Sequence, residues 1–351
     1  VKHETPPALR FLESALAETA RATLLRSRPT PSTGLELTFC SNDYLGLASR
    51  PPPARPSGAG ASRLVAGERT DHVELEREAA RLVGLPEALV FTSGYAANVG
   101  LISALAGADD LIVSDALNHA SIVDGARLSR AKVAIVPHLD LGAVERALSA
   151  QPRRRAFVVT ESYFSMDADA PDLVALRRIC DSHQAALIVD EAHALGVLGP
   201  GGAGLCAAAG VEADAVTGTF GKSFGAGGAF VAGCPSLVTW LWNRARSFVF
   251  STGLSPAVAS AATANIRIAA ADPGLRESTL AAAELLRGGL LRLGIRPLGF
   301  GHVVPWVVGE PSAAVRASEA LRADRIDVRA IRPPSVPAGT ARLRFAVTAA
   351  H

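Results

Sequence analysis

The sequence predicts an α/β fold: a mainly parallel central sheet with helices on both faces, followed by a smaller α+β C-terminal domain. Between residues 88 and 232, short apolar runs alternate with segments of helical period. Those runs are continuously apolar, as in Ala186-Leu187-Ile188-Val189, which means burial on both faces of a helix-covered sheet. After about residue 252 the chain turns helical and Ala-rich, then alternates strand and helix from 300 to 348. The expected division is an N-terminal helix and strand segment (1–45), a large α/β domain (46–252) and a small α+β domain (253–351).

Taken in order, residues 8–25 read as a helix with Leu9, Leu12, Leu16 and Ala20 on one face. A Pro-broken link, 28–32, precedes an alternating strand, Leu35 to Phe39, and Asn42-Asp43-Tyr44-Leu45-Gly46 is turn chemistry. Residues 51–61 are rich in Pro and Gly and lead to an amphipathic helix ending at Gly84. Strands then follow at 88–92, 111–113, 133–136, 156–160, 186–189, 213–217 and 229–232. Helices fall at 93–105, 120–128, 141–148 and 173–182. The last part reads as strand 302–308, helix 312–323, strand 328–331 and strand 342–347. No terminal helix covers that sheet before His351, so a further C-terminal segment is expected.

Composition narrows the function classes. At 351 residues with a net charge of +2 and no basic stripe, the chain has no nucleic-acid signature. No run of about 18 apolar residues occurs, so no membrane span is expected, and Val1-Lys2-His3-Glu4 lacks a signal-peptide pattern. The four cysteines, Cys40, Cys180, Cys206 and Cys234, form no CxxC pair. That argues against a metal site or disulfide framework and for a cytoplasmic protein.

Chemistry gathers after the predicted strands, where ligands of such sheets bind. Lysine is rare, with only Lys2, Lys132 and Lys222 in the chain. Lys222 lies in the Gly-rich stretch Thr219-Phe220-Gly221-Lys222-Ser223, and arginine cannot replace a lysine that must act as an amine. A surface lysine in a turn would look the same. Ser93-Gly94-Tyr95 at a helix start suits a phosphate, or is a plain strand-to-helix turn. His119 either faces the crevice or neighbours a helix cap. Ser165 can hydrogen-bond a ligand oxygen. Asp190 closes a buried strand and needs a cationic partner or a protonated ring nitrogen, with His193 three residues on. Pyridoxal 5'-phosphate uses a lysine, an acid and a phosphate cup together. A nucleotide P-loop would need glycine at Val216, and a dinucleotide fingerprint would lie earlier in the chain.

Asn42-Asp43-Tyr44-Leu45-Gly46-Leu47-Ala48, Ser93-Gly94-Tyr95-Ala96-Ala97-Asn98, Phe164-Ser165-Met166-Asp167, Asp190-Glu191-Ala192-His193 and Thr219-Phe220-Gly221-Lys222 carry a resemblance over nearly the whole chain. It is to the α-oxoamine synthases, fold-type I (aminotransferase-like) pyridoxal-phosphate enzymes that condense an amino acid with an acyl thioester and lose CO2. The stretch from Ala330 to Arg344 is most similar to the branch that joins L-alanine to pimeloyl-CoA or the pimeloyl carrier protein in biotin synthesis. Sibling branches use glycine, serine or other acyl thioesters. Three departures stand out: residues 51–61 are shorter than in the family, the family's C-terminal helix is absent, and Ala194-Leu195-Gly196 stands where Gly-Thr-Gly or Gly-Leu-Gly is more usual.

The resemblance implies roles. Lys222 is the Schiff-base lysine and proton carrier, Asp190 pairs with the ring nitrogen, and His119 stacks on the ring. His193 and Ser165 bond the ring's phenolic oxygen, and Ser93, Gly94, Tyr95 and Thr219 form the phosphate cup. Ser251 and Thr252 reach the phosphate of a neighbouring subunit in a homodimer with shared sites. Arg344 with Asn42 takes the substrate carboxylate, while His119, Arg26, Ser335 and Arg332 are further substrate contacts. Lys222, Asp190 and His119 together argue against a non-catalytic subunit.

Overall fold

The computed structural model describes residues 11–26, 37–150 and 153–351. The expected link at 28–32 and the outer ends of the first helix and strand lie outside them. The chain opens with α1 (Phe11–Arg21), β1 (Leu37–Thr38) and α2 (Thr70–Val83), which stops at Gly84 in the left-handed conformation. Next come β2 (Glu87–Phe91), α3 (Gly94–Leu105), β3 (Leu111–Asp115), α4 (Ala120–Ser129), β4 (Lys132–Val136) and α5 (Leu141–Ala150). They are followed by β5 (Ala156–Glu161), α6 (Leu173–Ser182), β6 (Ala186–Asp190), α7 (Leu205–Ala209), β7 (Ala215–Thr219) and β8 (Ala229–Gly233).

These strands form a seven-stranded sheet in the order β2-β8-β7-β6-β5-β3-β4. Only β8 runs against the others, pairing antiparallel with both β2 and β7. The apolar runs divide by alternation between two cores. Val113, Val158, Leu187, Val189 and Val216 face α2, α5 and α6, whereas Ile112, Phe157, Val159, Ile188 and Ala215 face α3 and α4. Two-sided burial is the physical reason the runs carry no polar break.

The chain continues through α8 (Pro235–Arg244), α9 (Arg246–Val249), α10 (Pro256–Ala271), α11 (Gly274–Arg292), β9 (Val303–Gly309) and α12 (Pro311–Ala323). It closes with β10 (Ile326–Asp327), β11 (Ala330–Ile331) and β12 (Ala341–Ala346). β11, β12 and β9 make a small antiparallel sheet over a core of Phe39, Ala283, Val304, Leu343 and Phe345.

Three expectations need correction. The strand expected at 328–331 forms only over Ala330–Ile331, as β11 paired with β12, while β10 lies just before it and pairs with β1. The strand expected at 213–217 lies two residues later, so Thr219 is within it. α8 and α9 fill the span between β8 and residue 252, which carried no expected element.

Candidate active site

Five parallel strand ends converge on one edge. β2 ends at the start of α3, where Ser93 caps the helix by accepting from the Ala96 N–H at 3.1 Å. Beyond β3, His119 caps α4, and its Nδ1 meets the Ser121 hydroxyl at 2.7 Å. Asn98 on α3 donates from Nδ2 to Ser121 Oγ (2.9 Å) and to Asp190 Oδ2 (2.7 Å). The Ser121 hydroxyl is therefore free to donate to His119 Nδ1, which also accepts the Ser121 N–H, so the neutral ring carries its proton on Nε2. Asp190 Oδ1 accepts the Ala192 N–H at 2.9 Å. Glu161, opposite Asp190 in the β5–β6 register, accepts the His119 N–H at 2.8 Å.

The lysine turn is fixed from both sides. The Gly225 N–H donates to the Lys222 carbonyl at 2.9 Å, and the Ser223 hydroxyl donates to the Leu195 carbonyl at 2.6 Å. Burial pushes Lys222 down to about 8, against the pull of Asp190 and Glu161. Burial, reinforced by Asp190, raises Glu161 to about 8, with Lys222 opposing. Burial also lowers His193 well below the ordinary histidine value, aided by Lys222 and Arg344, and lowers His119. The site thus holds a lysine close to releasing its proton and two neutral imidazoles.

The small sheet supplies the far wall. From β12, Arg344 donates through Nε to the Ser165 carbonyl (2.8 Å), through Nη1 to Asn42 Oδ1 (3.1 Å) and through Nη2 to the Tyr44 hydroxyl (3.2 Å). The same hydroxyl lies 2.8 Å from His193 Nδ1. Arg342, two residues earlier, anchors the loop by donating to the Met166 carbonyl and Asp167 Oδ1, both at 2.7 Å. A cavity of about 590 Å³ opens between α4 and residues 334–337, with His119, Glu161, Ser165 and Ser335 among its lining.

The structure brings Asn42, Ser165, His193 and Arg344 into one hydrogen-bonded cluster and sets Lys222 electrostatically beside His119, Asp190 and Arg344. Thr219 approaches Gly94: a methyl added at Gly94 would come 3.9 Å from Thr219 Cβ. Tyr95 is half-exposed, and its hydroxyl donates to Asp124 Oδ2 at 2.6 Å. Arg26 donates to the Ser335 hydroxyl at 3.0 Å, while Arg332 donates to the Thr23 carbonyl at 2.6 Å and does not line the cavity. Ser251 and Thr252 sit instead beside Arg63 and Thr92, in a separate depression. Sequence reasoning passed over Tyr44, Asn98 and Glu161 as site residues. The first two stood inside the quoted motifs, and Glu161 closes a wholly buried strand, a polar ending that a structural role alone rarely requires.

These residues fit pyridoxal phosphate. Asp190 is a buried carboxylate bonded by neutral donors, and it forms no ion pair among the described residues, so it can receive a protonated ring nitrogen. Lys222 offers the amine. The N–H groups opening α3, close to Thr219, offer the phosphate seat.

Comparison with known proteins agrees. Residues 36–351 match the family described as aminotransferase class I and II. An 8-amino-7-oxononanoate synthase from Anaeromyxobacter dehalogenans (strain 2CP-1 / ATCC BAA-258) is 47% identical over 327 residues, which cover 90% of this chain and 82% of that protein. A serine palmitoyltransferase from S. paucimobilis, solved with PLP and myriocin bound, superposes with a TM-score of 0.90 at 28% identity, covering 99% of this chain and 94% of that one. The 8-amino-7-oxononanoate synthase of Francisella tularensis superposes with a TM-score of 0.76 at 25% identity, covering 91% and 93%. The chain belongs to the class I and II aminotransferase family of fold-type I pyridoxal phosphate enzymes, and within it to the 8-amino-7-oxononanoate synthases.

Proposed function

We propose that the protein condenses L-alanine with a pimeloyl thioester, of coenzyme A or a carrier protein, giving 8-amino-7-oxononanoate, the free thiol and CO2. The observation that carries this most is a buried Lys222 whose charge is opposed by burial and by Arg344 and favoured by Asp190 and Glu161. Bound pyridoxal phosphate supplies an electron sink for a carbanion at the amino-acid Cα. Asp190 would pair with the protonated ring nitrogen, and the His119 ring would stack against the cofactor ring. His193 and Ser165 would hydrogen-bond the ring's phenolic oxygen, and Ser93, Gly94, Tyr95 and Thr219 would hold the phosphate.

Arg344, steadied by Asn42 and the Tyr44 hydroxyl, presents its planar fork to the alanine carboxylate. Lys222, brought down to about 8 by burial, can take the Cα proton near neutral pH and return one later. Arg26 and Ser335 contact the acyl donor, and Arg332, outside the cavity wall, is a helper near its acyl or coenzyme end. Ser251 and Thr252 serve the phosphate of a second subunit, which makes the working unit a homodimer, and we place it in the cytoplasm. The division into units 1–45, 46–252 and 253–351 belongs to the same proposal. A sibling synthase taking glycine or serine is the second reading, favoured by the fold likeness to serine palmitoyltransferase.

The test is exchange of the alanine Cα proton in heavy water, followed by NMR with the cofactor-loaded protein. Exchange with L-alanine that is lost in Lys222→Ala, by more than about a thousandfold, is expected. Wild-type exchange in Lys222→Ala, or exchange confined to glycine or serine, would overturn the assignment.

A further inference from the structure

Tyr44 is fully buried, and packing fixes everything but its hydroxyl proton. Its carbonyl accepts the Ala349 N–H at 2.8 Å and the Thr279 hydroxyl of α11 at 2.9 Å. Its ring meets the buried His302 edge to face, with centroids 4.1 Å apart. Among the described residues neither ring nitrogen of His302 makes a hydrogen bond. Burial, with Arg344 and Lys222, pushes that imidazole down to about 3. His302 therefore stays neutral and packs against Tyr44 without taking its proton.

The hydroxyl has three polar neighbours and one proton to give. Arg344 Nη2 donates to it at 3.2 Å, His193 Nδ1 lies 2.8 Å away and Asn42 Oδ1 3.1 Å away. Asn42 Oδ1 already accepts from Arg344 Nη1 at 3.1 Å. The imidazole is the nearer acceptor, and the guanidinium polarises the hydroxyl toward donation. Burial holds Tyr44 above the ordinary tyrosine value against the pull of Arg344, so the hydroxyl keeps its proton. His193 faces Tyr44, Lys222, Arg344, His302 and His119, and burial, aided by the two cations, keeps its ring neutral. A neutral ring that accepts at Nδ1 carries its proton on Nε2.

We infer that Tyr44 is a positioning residue whose hydroxyl donates to His193 Nδ1, fixes Nε2 as the donor toward the cofactor's phenolic oxygen, and joins that donor to Arg344 in one hydrogen-bonded chain. This rests on the proposed roles of His193 and Arg344 and is independent of the acyl donor. Nitrogen-15 NMR of the histidine rings reads the tautomer with no substrate present. In the cofactor-loaded and the cofactor-free protein alike, wild-type His193 is expected to carry its proton on Nε2 and none on Nδ1.

Tyr44→Phe keeps the ring and removes the proton donor, so the Nδ1-protonated tautomer of His193 should become populated. The phenolic oxygen then loses a donor that favours its anionic form, and the pH midpoint of the bound cofactor's visible band should rise by about half a pH unit or more. A wild-type His193 protonated at Nδ1 overturns the inference, and that reading needs no variant. So does a Tyr44→Phe protein in which either the tautomer or the midpoint stays as in the wild type. Exchange of the alanine Cα proton by the wild type tests the parent proposal separately. If exchange fails while tautomer and midpoint behave as stated, the choice of substrate falls and Tyr44 keeps its place. If exchange occurs while His193 is protonated at Nδ1, only the role of Tyr44 falls.

Discussion

Among the described residues, the buried Asp190 accepts hydrogen bonds from the Asn98 amide and the Ala192 N–H. Changing it to asparagine keeps the size and removes the charge. Asp190→Asn should retain part of the cofactor binding and slow alanine Cα-proton exchange by at least about a hundredfold, read by NMR in heavy water. Exchange at the wild-type rate would refute its part in the electron sink. Asp190 was legible because it directly follows an apolar run, Lys222 because lysine is rare in this chain and lies in a Gly-rich stretch, and His193 because it stands three residues after Asp190. The Tyr44 hydroxyl was not, since its role arises from contacts to His193 and Arg344 that lie far along the chain. Likewise, the assignment of Nδ1 as the acceptor on His119 needs Asn98 and Ser121 in place, which no spacing rule supplies.

Connecting segments fix the site as much as the strands do. Gly225 has φ +54°, and a methyl there would come 2.2 Å from the Ala48 nitrogen, so the lysine turn is packed on the backbone after the Tyr44 motif. Gly225→Ala should cost about 2 kcal/mol or more of stability, measured by denaturant unfolding, and weaken cofactor retention. A neutral effect would mean that the turn and residues 47–48 move independently.

The loop carrying Ser165 is tied by His138, which lies 2.9 Å from Asp115 and 3.2 Å from Asp169. Burial alone would lower His138, but these carboxylates raise it to about 10. A raised histidine stabilises fully below its unfolded value near 6.5, and that support fades as pH climbs through about 10. His138→Ala should therefore lose about 2 kcal/mol near pH 6, with the gap to wild type closing toward pH 10. A gap independent of pH would contradict the ion-pair account. Such ties are invisible in sequence, as is the pairing of β1 with β10, because short strands are specified by distant partners rather than by their own pattern. α8 was missed for a related reason: Trp240 and Trp242 interrupt no period, yet aromatic and β-branched residues favour strand over helix locally.

At the scale of the molecule, the seven-stranded sheet presents five parallel carboxyl ends to one crevice, and the small sheet closes it with Arg344. The sheet was readable because two-sided burial leaves uninterrupted apolar strands. Its single reversed strand, β8, was not, since Ala229 to Gly233 has the same apolar character as its parallel neighbours. Ser251 and Thr252 lie apart from Lys222, beside an exposed Phe250.

The most direct measurement is mass-spectrometric identification of the product when the cofactor-loaded protein receives pimeloyl-CoA with L-alanine, glycine or L-serine in turn. The expected result is 8-amino-7-oxononanoate with one equivalent of free coenzyme A and CO2, formed from L-alanine in clear preference. Coenzyme A release with glycine or L-serine but not L-alanine, or no condensation product at all, would contradict it.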